Sequence, residues 1–280
     1  MKEQISPPPA TRDSFLDDEQ FTVLCEIEPP RRPSLDHLRS QVDAMLGVAD
    51  AFLVPDNHLG CATVSSLAVA QEVAHMGGRA IPCLNARDRN LLGFRRDLLT
   101  ASAYGFDHLL LVHGDPPSVG KRTEELNVRA MIDEARGFSE GKSLHEYPDF
   151  KTGTVAKLAK PLAWRSAADF VLVQVTYALD RLAGWARSLD YEGRLYAGVL
   201  VLENARMARR ISATIPDISI PENVIKGLES DPSCGLDLAL EQVEALRALK
   251  PFAGVHLIPV KLFSEMAQMM RRSTVHRPSG

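Results

Sequence analysis

Short apolar runs alternate with amphipathic stretches along this chain, and the alternation continues from one end to the other. The run Phe21-Thr22-Val23-Leu24-Cys25-Glu26-Ile27-Glu28 closes on Pro29-Pro30 and reads as a buried strand. Ser34 follows as a candidate N-cap, and Leu35, Leu38, Val42, Met45 and Leu46 then recur at helical spacing. Further strands are expected at 51–55, 79–84, 107–113, within 144–155, and at 170–175, 196–202 and 254–258. Between them, helical periodicity covers 64–75, 91–104, 128–137, 179–189, 205–213 and 236–249. Gly77-Gly78 and Gly105 stand where two of these helices should stop.

Eight strands alternating with helices point to an α/β fold of the (β/α)8 TIM barrel type in a single domain, rather than a doubly wound sheet. The main signature of a dinucleotide-binding sheet, a G-x-G-x-x-G after the first strand, is not found. Residues 1–19, rich in proline and charge, read as a flexible arm, 20–266 as the barrel and 267–280 as a tail.

Composition narrows the partners. With 45% hydrophobic and 24% charged residues among 280, the chain is ordinary globular material, and its formal charge of −4 argues against a nucleic-acid binder. No apolar run approaches a membrane span, and the N-terminal stretch lacks the apolar core of a secretory signal. Cys25, Cys61, Cys83 and Cys234 show no C-x-x-C spacing, and the histidines show no H-x-x-x-H or H-E-x-x-H pairing. A reduced cytoplasmic setting and no metal site are therefore expected. Most histidines, His58 and His256 included, read as surface or rim residues, and Trp164 and Trp185 as packing residues.

In a barrel of this kind, chemistry sits at the C-terminal ends of the strands. Those ends carry Glu26 and Glu28, Asp56 and Asn57, Asn85, His113 and Asp115, Gln174, and Glu203 and Asn204. Taken singly, each also reads as an ordinary loop cap. Glu26 alternates with Leu24, so it should point into the barrel, and a second carboxylate, Glu28, on the same face should raise its pKa toward that of a neutral-pH proton donor. Asp115, between Gly114 and Pro116-Pro117, is set in a rigid turn.

These motifs carry a resemblance. Cys25-Glu26-Ile27-Glu28-Pro29-Pro30, Asp56-Asn57 with Leu59-Gly60, Arg87-Asp88-Arg89-Asn90, His113-Gly114-Asp115-Pro116-Pro117 and Gly254-Val255-His256-Leu257-Ile258-Pro259 resemble, in order and spacing, the methylenetetrahydrofolate reductases. The resemblance covers residues 20 to 265. It implies a (β/α)8 barrel in which FAD passes a hydride from NADH or NADPH to 5,10-methylenetetrahydrofolate, giving 5-methyltetrahydrofolate, with possible homo-oligomers through outer helices. By position it implies that Glu26 is the general acid and Asp115 the carboxylate that bonds the pterin and stabilises its cationic form. Gln174, Asn57 and Glu28 fall on the folate side, and Asn85, His113, Gly114, Lys157 and Lys160 on the flavin side.

The departures from the family pattern lie on the flavin side. Where the family's third strand ends in H-L-T-C, this chain reads Cys83-Leu84-Asn85-Ala86, and the segment holding Lys157, Lys160 and Pro161 is short. Three routes follow: an altered flavin site, direct hydride transfer from the nicotinamide, or a folate-binding barrel that serves as an accessory subunit or in methyl transfer without reduction.

Overall fold

The computed structural model describes residues 20–139, 150–158, 160–215 and 217–273. Eight parallel strands close into a barrel in chain order: β1 (Thr22–Glu26), β2 (Ala51–Val54), β3 (Ala80–Asn85), β4 (His108–Val112), β5 (Lys151–Ala156), β6 (Phe170–Val173), β7 (Arg194–Leu200) and β8 (Gly254–Ile258), with β8 pairing back to β1. The sheet is wrapped by α1 (Asp36–Met45), α2 (Ser66–His75), α3 (Leu91–Ala103), α4 (Val128–Ser139), α5 (Leu179–Arg187), α6 (Ala205–Thr214), α7 (Glu222–Ser230), α8 (Cys234–Arg247) and α9 (Phe263–Arg272).

Strand alternation sorts the side chains into two cores. Leu24, Leu53, Ile81, Cys83, Leu110, Phe170, Leu172 and Tyr196 fill the barrel interior, with Phe170 and Tyr196 meeting edge to face. Their neighbours Val23, Cys25, Phe52, Leu84, Leu109, Val171 and Ala197 face outward beneath the helices. Most strands are thus covered on both faces, which is why they read as nearly continuous apolar runs; β5, where Val155 is exposed, is the exception.

Three expectations change. The cap of α1 is Leu35 rather than Ser34; the Ser34 hydroxyl instead accepts the Asp36 N–H at 3.3 Å. The region 205–258 holds an additional helix, α7. The barrel wall also continues past residue 266, where a tail was expected. Phe263, Met266, Ala267 and Met270 of α9 are buried, the helix packs on α1 and α8, and Arg271 donates to the carbonyls of Ala44 and Leu46. The arm expected at 1–19 lies outside the described residues.

Candidate active site

β1 delivers Glu26 to the mouth on the same face as Leu24. Two residues above Gly254, His256 of β8 faces the same interior, and its Nε2 lies 3.0 Å from Glu26 Oε2. The His256 side chain is 13% exposed and that of Glu26 23%. Burial pushes the Glu26 carboxyl up, but the hydrogen bond from His256 and the charges of His256 and His58 outweigh it, and the net pKa lies below the ordinary carboxyl value. The expected upward shift is therefore reversed. Glu28 lies beyond the strand end, exposed, with its N–H bonded to Gln41 Oε1 at 2.8 Å, so no second anion crowds Glu26.

The turn after β2 holds Asp115 in place. Asn57, Leu59 and Gly60 all adopt left-handed backbone, with φ of 47°, 53° and 71°. A Cβ on Gly60 would sit 2.0 Å from the Pro116 carbonyl oxygen, so this turn lies directly on the proline turn after β4. Ser118 donates to the Gly60 carbonyl from both its N–H and its hydroxyl, each at 2.8 Å. The Leu59 N–H donates to Asp115 Oδ2 at 3.2 Å, while the rest of that carboxylate faces outward.

Behind these turns runs a charged network from the Arg87-Asp88-Arg89-Asn90 segment. Arg89 bridges Asp56 and Asp97, and all three side chains are largely buried. Arg87 bonds Asp88 through Nε at 2.7 Å and Nη2 at 2.5 Å, and its Nη1 donates to the Asp115 carbonyl. These bonds, with others from Asn57 and Asn85, hold the Asp88 carboxyl down at about 2. Asn57 donates to Asp88 at 2.7 Å and accepts the Thr63 N–H at 3.1 Å. Asn90 caps α3 by accepting the Gly93 N–H.

The remaining positions vary in what they offer a ligand. Gln174 follows β6, its Oε1 accepting the Val175 N–H at 3.0 Å. Asn85 is fully buried: its amide donates to Asp56 at 2.6 Å and Asp88 at 3.0 Å, and its carbonyl accepts the Asp88 N–H. Lys157 is ion-paired with Asp217 at 2.5 Å. Lys160 and His113 are exposed, and Gly114 has a φ of 89° with Asn85 packed against it. The donors at the flavin-side positions are thus either engaged internally or exposed, and they do not fit a preassembled flavin cradle. Asn204 caps α6 by accepting the Met207 N–H, and Glu203 pairs with Lys261, so these two strand-end residues keep the loop reading.

Sequence reasoning grouped His256 with the rim histidines. The signal that could have placed it was there, since the β8 alternation Gly254, His256, Ile258 is the inward one in a strand whose other members are Val255 and Leu257. Among the described residues no group of three or more His, Cys, Asp or Glu side chains is arranged to hold a metal ion, and no helix is long and apolar enough to cross a membrane.

A family model described as methylenetetrahydrofolate reductase matches residues 12–274. Among solved structures, an uncharacterised protein from Clostridium thermocellum, described as binding two copies of 5-methyl-5,6,7,8-tetrahydrofolic acid, superposes with a TM-score of 0.60 at 13% identity, covering 92% of this chain and 98% of that one. A 2,3-dimethylmalate lyase of the PEP mutase/isocitrate lyase superfamily gives 0.49 at 12% identity, over 92% of this chain and 80% of that one. No curated protein matches in sequence.

Proposed function

The chain belongs to the methylenetetrahydrofolate reductase family, and from that premise we propose that it reduces the one-carbon bridge of 5,10-methylenetetrahydrofolate to a 5-methyl group. The observation that carries this reading is the inward carboxylate of Glu26, held by His256 at the barrel mouth, with Asp115 clamped on a turn of the same rim. Reduction needs the five-membered ring of the substrate to open. Opening expels a nitrogen leaving group, so a proton delivered from Glu26 to that nitrogen lowers the barrier, an effect of typically 10²–10⁴-fold. The opened ring is a cationic iminium, and the outward face of the Asp115 carboxylate is its electrostatic partner. The side-chain amide of Gln174 and the turn residue Asn57 bound the folate side. Reduced nicotinamide supplies the hydride, which no side chain can.

The neighbour's description as a 5-methyltetrahydrofolate binder supports a reduced folate as ligand. A second reading, folate binding without reduction in an accessory or methyl-transfer role, is favoured by the engagement of Asn85 and Lys157 on the flavin side. One experiment separates the two. Purified protein is given methylenetetrahydrofolate with NADH or NADPH, with and without added FAD, alongside calorimetric titration with 5-methyltetrahydrofolate. Nicotinamide oxidation supports the reductase; binding with no oxidation in any combination supports the second reading and sinks the first.

A further inference from the structure

We infer that the hydroxyl of Tyr177 is a binding contact for the reduced folate, turned out of the apolar wall of the mouth when the ligand arrives. The inference deepens the reductase reading and rests on its placement of the folate beside Gln174. Tyr177 lies three positions past Gln174, in the loop that leaves β6. Its ring packs on an apolar cluster that includes Val175 after β6, Leu200 at the end of β7 and Met207 of α6. The residue is partly exposed, yet its hydroxyl oxygen is buried and has no hydrogen-bond partner among the described residues. A tyrosine ordinarily does the reverse, burying its ring and keeping the hydroxyl bonded or wet. Tyr191 and Tyr196 follow that rule: the first donates to the Ala168 carbonyl at 2.8 Å and the second accepts the Thr22 hydroxyl at 3.3 Å.

A hydroxyl taken out of water with no replacement bond costs stability, and burial pushes the Tyr177 phenol up with no neighbouring charge or bond opposing it. Such a group gains from any arrangement that gives it a partner. The loop allows one. Past Gln174, whose N–H bonds the Ala156 carbonyl, the turn is held by its own side chains: Gln174 Oε1 accepts the Val175 N–H, and Thr176 Oγ1 accepts the Ala178 N–H at 3.2 Å. α5 then starts from Ala178 with no side-chain cap. Turning the Tyr177 side chain therefore breaks no hydrogen bond of its own. A second mark of cost lies in the same wall, since Val260, after β8, packs on this cluster with a φ of 58°, a conformation that disfavours a β-branched residue. A phenol O–H donates to a neutral carbonyl oxygen, a group that the pterin and the amide of a folate both carry. Gln174 bounds the folate side, so the folate is the ligand this hydroxyl meets.

The test compares wild-type protein with Tyr177→Phe, which removes the hydroxyl and keeps the ring. Three quantities are read: the urea midpoint without ligand, the affinity for 5-methyltetrahydrofolate by calorimetric titration, and kcat and KM in nicotinamide-linked reduction of methylenetetrahydrofolate. The contact predicts an unliganded midpoint no lower than that of wild type, because no bond is lost, together with 5-methyltetrahydrofolate bound about 10-fold more weakly. In turnover it predicts a folate KM raised by a similar factor, with kcat and the nicotinamide KM within about threefold of wild type. A folate affinity within about threefold of wild type, a lowered unliganded midpoint, or a rise in the nicotinamide KM in place of the folate KM overturns the contact and leaves the reductase reading standing. Weaker folate binding by the variant, in a protein whose wild type binds folate without turnover, keeps the contact and removes the reductase reading. No folate binding by the wild type overturns both.

Discussion

Glu26 and Gly60 show how single residues fix the mouth. Glu26 is legible as an inward carboxylate from its alternation with Leu24, but its charge state is not, because the group that sets it lies 230 positions away on the closing strand. Glu28, the nearer neighbour in sequence, leaves the barrel at the strand end and has no part in it. Gly60 matters for a different reason, being both left-handed and in contact with the Pro116 carbonyl. Gly60→Ala is expected to destabilise the fold by about 1–3 kcal/mol, read as a shift in the urea midpoint. Because the same turn holds Asp115, the variant should raise the KM for folate more than it lowers kcat. An unchanged midpoint and KM would show that the two turns are not coupled.

At the scale of elements, the loops after β2, β3 and β4 act as one unit through Arg87, Asp88, Arg89 and Asp56. Arg89 neutralises two buried carboxylates, so Arg89→Met should cost about 3–5 kcal/mol, measurable by urea denaturation at pH 7. Asp88 gives the network a pH signature. Its folded carboxyl lies near 2 against an ordinary 3.8, so the stability it contributes is fully present above pH 3.8 and is lost as pH falls toward 2. The stability gap between wild type and Asp88→Asn should accordingly narrow from pH 5 to pH 2; a constant gap would mean that the ion pair is not the source. The motif Arg87-Asp88-Arg89-Asn90 stood out in the sequence, yet its role did not, since its partners Asp56, Asn57 and Asp115 belong to other loops. Asn85 shows the same limit, because a polar strand end looks identical whether it faces a ligand or a neighbouring aspartate.

For the whole molecule, the eight-strand order was legible because most strands carry their own apolar run between turn residues; β5, with Lys151, Thr152, Gly153 and Thr154, does not, and its region reads ambiguously. The outermost layer was less so. Phe263, Met266, Ala267 and Met270 have helical spacing, but the segment follows the last strand of the barrel, where a tail was the simpler expectation. α9 covers part of the outer core with α1 and α8, and Met266 is fully buried. Met266→Ala should therefore lose about 2–5 kcal/mol, a drop in melting temperature seen by circular dichroism; a change below about 0.5 kcal/mol would make α9 an appendage.

The proposed reductase reading rests on one central claim, that the mouth delivers a proton to a reduced folate while a nicotinamide delivers the hydride. The most direct measurement is steady-state oxidation of NADH or NADPH with 5,10-methylenetetrahydrofolate, comparing wild type with Glu26→Gln and identifying the folate product. The account predicts 5-methyltetrahydrofolate from the wild type and a kcat about 10²–10⁴-fold lower for Glu26→Gln, with folate binding retained. Equal rates for the two proteins, or no 5-methyltetrahydrofolate from either, would contradict it.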